Sequence, residues 1–198
     1  MKITKLLCGI AISVLSINSI YGQQPIEYVN MRIGTDGAHR TEYGGTIPAV
    51  TTPFGMTQWC PVTRINGISR TMYHNRDSVL LGFMATHQPA VWMGDYGYMT
   101  LMPQCGQLKL KPSERQVRLD HAKETLTPYY YKVSTSRAGK EQEITTELTA
   151  SSHSSFFRIT YPRHEKAYLY LEAGRGKKGG GIEIFPEKRE IHIYNEDR

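Results

Sequence analysis

From residue 129 onward the chain alternates. Residues 129–134 (YYYKVS), 143–150 (EITTELTA), 155–161 (SFFRITY), 167–172 (AYLYLE), 181–185 (GIEIF) and 190–194 (EIHIY) each place branched or aromatic residues at every second position, with polar ones between. A period of two sends successive side chains to opposite faces of a pleated strand, so each segment reads as a strand with one buried and one wet face. Turn-forming stretches separate them: Ser136-Arg137-Ala138-Gly139, Pro162-Arg163-His164, and the run from Gly174 to Gly181. Short strands at this spacing predict an all-β chain, an antiparallel β-sandwich.

The first half lacks that rhythm. Gly and Pro recur every few residues from Gly34 to Gly106 and break any helix repeatedly. One stretch, residues 111–125 (KPSERQVRLDHAKET), has a capping pattern in Ser113 and Gln116 but sparse apolar positions. A short helix and a turn followed by an exposed strand are both open there.

The chain begins with a leader. Lys2 and Lys5 precede an uncharged apolar run from Leu6 to Ile20, and small Gly22 precedes polar Gln23-Gln24. This is the pattern of a secretory signal peptide over residues 1–22, with a mature domain over 23–198 and a periplasmic or extracellular destination. The run falls short of the roughly 18–20 apolar residues of a membrane span, and Cys8 sits too early for a lipoprotein. No other segment is long and apolar enough to span a bilayer. Removing Lys2 and Lys5 from the 24 basic residues leaves 22 against 18 acidic ones, a net charge of +4, interspersed along the chain. A nucleic-acid surface needs a denser patch. Cys60 and Cys105 remain, as a possible disulfide in an exported chain or as two partly buried thiols.

Candidate chemistry concentrates between Asn30 and Pro103. Glycines beside Thr35 and Asp36, and again beside His87, Trp92, Gly94 and Asp95, allow a close backbone approach to a ligand. An indole face covers the apolar side of a pyranose, and a carboxylate accepts from its hydroxyls, so Trp92 with Asp95 suits a sugar. The same residues also suit a buried core tryptophan and a turn aspartate. His39, His74 and His87 match no zinc spacing, and the glycine run 174–181 lacks the GxxxxGK[ST] pattern of a phosphate loop. No G-x-S-x-G elbow is present.

The order of these phrases resembles glycoside hydrolase family 92. The matching stretches are Val29-Asn30-Met31-Arg32-Ile33-Gly34-Thr35-Asp36-Gly37, then Ile47 to Gln58 with Pro53-Phe54-Gly55-Met56, then Tyr73-His74. Gly82-Phe83-Met84-Ala85-Thr86-His87, Asp95-Tyr96-Gly97, Leu101-Met102-Pro103, and Asp120-His121-Ala122-Lys123-Glu124 leading to Pro128-Tyr129-Tyr130 follow in the same order. The resemblance implies an exo-acting, inverting α-mannosidase, in which an N-terminal β-sandwich packs on an (α/α)₆ barrel. The barrel supplies the catalytic Glu and Asp and the ligands of a calcium ion. It lies beyond Arg198, so no catalytic or metal residue is assigned here, and this chain alone is expected not to hydrolyse mannosides. Its share is part of the pocket for a mannose-containing glycan, with substrate-binding positions His87, Trp92, Gly94, Asp95, Thr35 and Asp36. The face that meets the barrel is expected to be apolar and bare, leaving the chain prone to self-association. The family's Ser/Gly-rich sequence after T-H is here Gln88 to Met93, and its Gly-Trp segment is absent from 64–70. Trp92 then stands as a replacement platform. The alternative is a stand-alone carbohydrate-binding module without hydrolase activity.

Overall fold

A computed structural model describes residues 24–37, 39, 44–65, 70–86, 89–90, 94–95, 99–136, 143–163, 165–174 and 180–195, with backbone only at 89–90 and 94–95. The expected signal peptide, residues 1–22, lies outside the described residues.

The strands, in chain order, are β1 (Gln58–Val62), β2 (Val79–Leu80), β3 (Gly82–Thr86), β4 (Pro89–Ala90), β5 (Gly94–Asp95), β6 (Met99–Cys105) and β7 (Val117–Arg118). They continue with β8 (Glu124–Thr127), β9 (Tyr130–Ser136), β10 (Glu143–Ala150), β11 (Ser155–Thr160), β12 (Ala167–Glu172), β13 (Gly180–Phe185) and β14 (Glu190–Asn195). One sheet runs β1-β3-β6-β12. The second runs β11-β10-β9-β7-β2, with β8 paired to β9. Among the described residues every strand pairing is antiparallel, as the sandwich reading expects.

The core between the sheets is built from Trp59, Phe83 and Leu101 of the first and Tyr131, Val133 and Leu148 of the second, with Val50, Leu80 and Leu119. Trp59 meets Phe157 edge-on at 4.6 Å between ring centres, and Phe83 meets Tyr131 at 5.9 Å. Such edge contacts add about 0.5–1.5 kcal/mol each beyond the area they bury. A second cluster of Cys60, Val62, Met72, Tyr73, Leu81 and Met84 covers the other face of β1 and β3. These strands are therefore buried on both faces, which is why they carry no alternation.

The 111–125 stretch resolves into one helical turn, Pro112–Arg115, then β7, a 3-10 turn at His121–Lys123 and β8. Ser113 lies inside the turn and Lys111 is its N-cap, without a side-chain capping bond. Proline at the first position starts the helix, and the chain returns to extended geometry at Gln116. Cys60 and Cys105 are thiols, not joined by a disulfide. No helix among the described residues is long and apolar enough to cross a membrane.

Among the described residues apolar side chains stay bare at several places, including the β13–β14 hairpin and the Phe54 loop. In the hairpin β13–β14, Ile182 pairs with Ile193 and Ile184 with Ile191, which puts four isoleucines on one face. Ile184 is 66% exposed. A two-stranded hairpin with an uncovered apolar face is marginal on its own. Phe54 is fully exposed, beside exposed Met56. Phe54 also holds φ 60°, a left-handed conformation that costs a non-glycine residue about 1–2 kcal/mol.

Candidate functional site

The phrase beginning at Val29 folds as a loop pinned at several points. Asn30 Oδ1 accepts from the Arg32 amide at 3.0 Å, and the Thr35 hydroxyl donates to the Arg32 carbonyl at 2.7 Å. Gly34 has φ +74°, which glycine adopts without strain. Its carbonyl accepts from the Thr46 amide at 3.2 Å. A Cβ added at Gly44 would stand 2.2 Å from that carbonyl oxygen, so the two loops lie backbone to backbone. The Thr35 carbonyl takes the Asn75 amide at 3.3 Å, and Asp36 pairs with Arg76 at 3.3 Å.

Arg32 crosses from this loop to the second sheet. Its Nη2 donates to Glu124 Oε2 at 3.0 Å and to the His121 carbonyl at 3.3 Å. Glu124, at the start of β8, is fully buried at its side chain. His121 Nδ1 lies 2.5 Å from Glu124 Oε2, and Tyr131 donates to Glu124 Oε1 at 2.6 Å. His121 Nε2 lies 2.9 Å from the Asp77 carbonyl. Both ring nitrogens therefore face acceptors, an arrangement that the doubly protonated imidazolium satisfies completely. Tyr73 OH stands 3.4 Å from His121 Nδ1.

The electrostatics follow from these contacts. Burial alone would raise the Glu124 carboxyl, but hydrogen bonds from His121, Tyr131 and Arg32 outweigh it and hold it below the usual carboxylate range. The bond to Glu124 raises His121, against the opposing effect of burial. Burial, reinforced by the Glu124 charge, pushes the Tyr131 and Tyr73 hydroxyls well above their ordinary value. Nearby, Asp77 accepts from Arg64 Nε at 2.5 Å, Arg64 Nη2 at 2.8 Å and the Thr63 hydroxyl at 2.8 Å. The Thr63 oxygen in turn accepts from the buried His74 amide at 2.9 Å.

This network holds loops in place. Its carboxylates are already engaged by cations and hydroxyls, and among the described residues no group of three or more His, Cys, Asp or Glu could hold a metal ion. The set does not fit a calcium ion.

Of the sequence-predicted positions, Thr35 is buried and bonded within its loop, whereas Asp36 is partly exposed beside Arg76. The structure brings these two together on the Asn75-Arg76 segment. Gly94 and Asp95 form β5 and pair with Ala90 and Pro89 of β4, a separate short hairpin. His87 and Trp92, and the side chain of Asp95, lie outside the described residues. Sequence reasoning assigned no role to Arg32, Tyr73, His121, Glu124 or Tyr131. Each stands in or beside one of the ordered phrases, so the signal was present, but only the fold shows that the phrases converge on one carboxylate.

An antiparallel sandwich with an N-terminal loop anchored by a buried ion-pair network defines the class: a β-sandwich domain organised around its leading loop. The sequence matches the Glycosyl hydrolase family 92 N-terminal domain over residues 28–198. The chain belongs to that family. Among solved structures, an inverting family 92 mannosidase from Bacteroides thetaiotaomicron is 34% identical, with a TM-score of 0.73 over 88% of this chain and 24% of its own. A family 92 α-mannosidase from the same organism is 28% identical, with a TM-score of 0.60 over 74% of this chain and 20% of its own. Its complex with mannoimidazole gives 29% identity and a TM-score of 0.61. The chain thus spans about a quarter of the first relative's length and a fifth of the second's. No curated protein sequence matches it.

Proposed function

We propose that this chain is the N-terminal domain of an exported α-mannosidase and forms one wall of a pocket for a terminal mannose of a glycan. The reaction is carried by an (α/α)₆ domain in cis, which holds the catalytic carboxylates and calcium. The observation that carries the reading is the 34% identity to a solved inverting mannosidase along 88% of this chain. The bare isoleucine face of β13–β14 and the exposed Phe54–Met56 loop support it, because they are apolar surfaces of the kind a second domain covers. Export rests on the leader at residues 1–22.

On this reading His87, Trp92, Gly94 and Asp95 contact the sugar. Asp36 sits at the rim, and Thr35 shapes the loop that carries it. The Arg32–Glu124–His121 network fixes that loop, so the wall is rigid before substrate arrives.

The test is a chimaera in which this domain replaces its counterpart in the Bacteroides thetaiotaomicron inverting mannosidase. Trp92→Ala and Asp95→Ala should each lower kcat/KM for an α-mannoside about tenfold or more, the loss of a stacking plane or a charged hydrogen bond. Unchanged kcat/KM in both variants would remove these residues from the pocket.

A further inference from the structure

The outer face of β9, β10 and β11 carries a second arrangement that the mannose pocket does not use. The pairing register sets it out as cross-strand rows. Tyr130, Thr149 and Phe156 form one row, and Lys132, Glu147 and Arg158 form the next. Threonine is the short member between two aromatic rings, so the first row has a dip at its centre. The structure holds a depression of about 160 Å³ there, lined by Tyr130, Glu147, Thr149, Phe156 and Arg158. That volume is below the range of drug-sized pockets and accommodates a single ring.

The walls have chemistry that suits a sugar. Phe156 is 69% exposed, so its ring stands open to solvent on a folded sheet and gains by being covered. Glu147 accepts from Arg158 Nε at 2.7 Å, from Arg158 Nη2 at 2.6 Å and from Tyr130 OH at 2.6 Å. These bonds lock the polar wall beside the ring and spare a ligand the cost of ordering it. The Arg158 bond holds the Glu147 carboxyl down at about 2, so the wall keeps its charge pattern across the physiological range. Lys132, the third member of that row, is not part of the depression's lining, so within the lining the Glu147 carboxylate and the Arg158 guanidinium balance each other, which favours a neutral ligand over an ionic one.

We propose that this depression is a binding site for a neutral pyranose ring, which stacks its apolar C–H face on Phe156 and hydrogen-bonds to the Glu147–Arg158 pair. It is distinct from the β4–β5 region assigned to the mannose pocket. Taking the sugar to be mannose rests on the mannosidase reading. On that reading the site holds a neighbouring branch of the same glycan and raises the effective concentration of its ends at the cleft.

The test is amide chemical-shift mapping of the 198-residue chain during titration with methyl α-mannopyranoside. Saturable shifts at Glu147, Thr149, Phe156 and Arg158 are expected. Phe156→Ala should weaken binding about tenfold, in line with the loss of an aromatic platform. Thr149→Tyr fills the dip with a residue that strands favour, and should abolish the shifts while the rest of the spectrum stays native. Shifts confined to the Gly94–Asp95 region would overturn this proposal and leave the pocket reading standing. No saturable shift on β9–β11 up to the solubility of the sugar, or undiminished binding by both variants, would also overturn it.

Discussion

His121 Nδ1 and Glu124 Oε2 stand 2.5 Å apart, three residues from each other in sequence and on opposite sides of the turn that leads into β8. Glu124 is buried and His121 is mostly so. Arg32 arrives from the N-terminal loop, 92 residues away, to the same carboxylate oxygen. One ion pair within a turn therefore becomes the anchor of a distant loop.

Glu124→Ala should cost about 3–5 kcal/mol, because it leaves Arg32 and His121 without their shared anion in a largely dry setting. Tyr131→Phe removes one hydroxyl donor to the same carboxylate and should cost about 1.5–3 kcal/mol. Urea unfolding of each variant measures both. Limited proteolysis of the Glu124→Ala variant should show earlier cleavage in residues 30–37 than elsewhere.

Stability should depend on pH through the same pair. His121 is raised above its ordinary 6.5, so its contribution is full below about pH 6.5 and is lost as pH rises through the raised value. Glu124 is lowered below its ordinary 4.5, so its contribution is full above about pH 4.5 and is lost as pH falls through the lowered value. Thermal midpoints should therefore peak between these limits. His121→Asn should flatten the alkaline side of the profile, while its acid side persists through Arg32 and Tyr131.

Gly44→Ala should destabilise the chain by about 1–3 kcal/mol, because the new methyl meets the Gly34 carbonyl oxygen and the Thr35 backbone rather than a movable side chain. Gly45→Ala is its control, since nothing lies within 4 Å of a Cβ there. Chemical denaturation of the two variants should separate them clearly.

How much of this was legible in the sequence depended on where water lies. β10 and β12 run over the residues their alternation marks, 143–150 and 167–172, because each has a wetter and a drier face. β1, β3 and β6 are covered on both faces, so their sequences show no period of two, and the pattern-based reading passed over them. The convergence of Arg32, His121 and Tyr131 on Glu124 was not legible either, because it joins segments up to about ninety residues apart. The family resemblance makes Thr35 a substrate-binding position; that its hydroxyl donates to the Arg32 carbonyl is visible only in the fold. Nothing in the Pro53-Phe54-Gly55-Met56 phrase marks Phe54 as exposed and left-handed; both follow from the path the folded chain takes there.

The bare hairpin predicts behaviour in solution. The chain should self-associate with rising concentration through the isoleucine face of β13–β14. An Ile184→Thr/Ile191→Thr double variant keeps β-branched residues at both positions while reducing apolar surface. Sedimentation velocity should show a smaller associated fraction, and circular dichroism should show the sheet content unchanged.

The most direct measurement of the central claim is release of mannose from an α-mannoside, with calcium present, by the 198-residue chain and by the same chain joined to the (α/α)₆ domain of a family 92 relative. No turnover is expected of the chain alone, and turnover is expected of the joined protein. Hydrolysis by the chain alone, or a joined protein that folds and stays inactive, would contradict it.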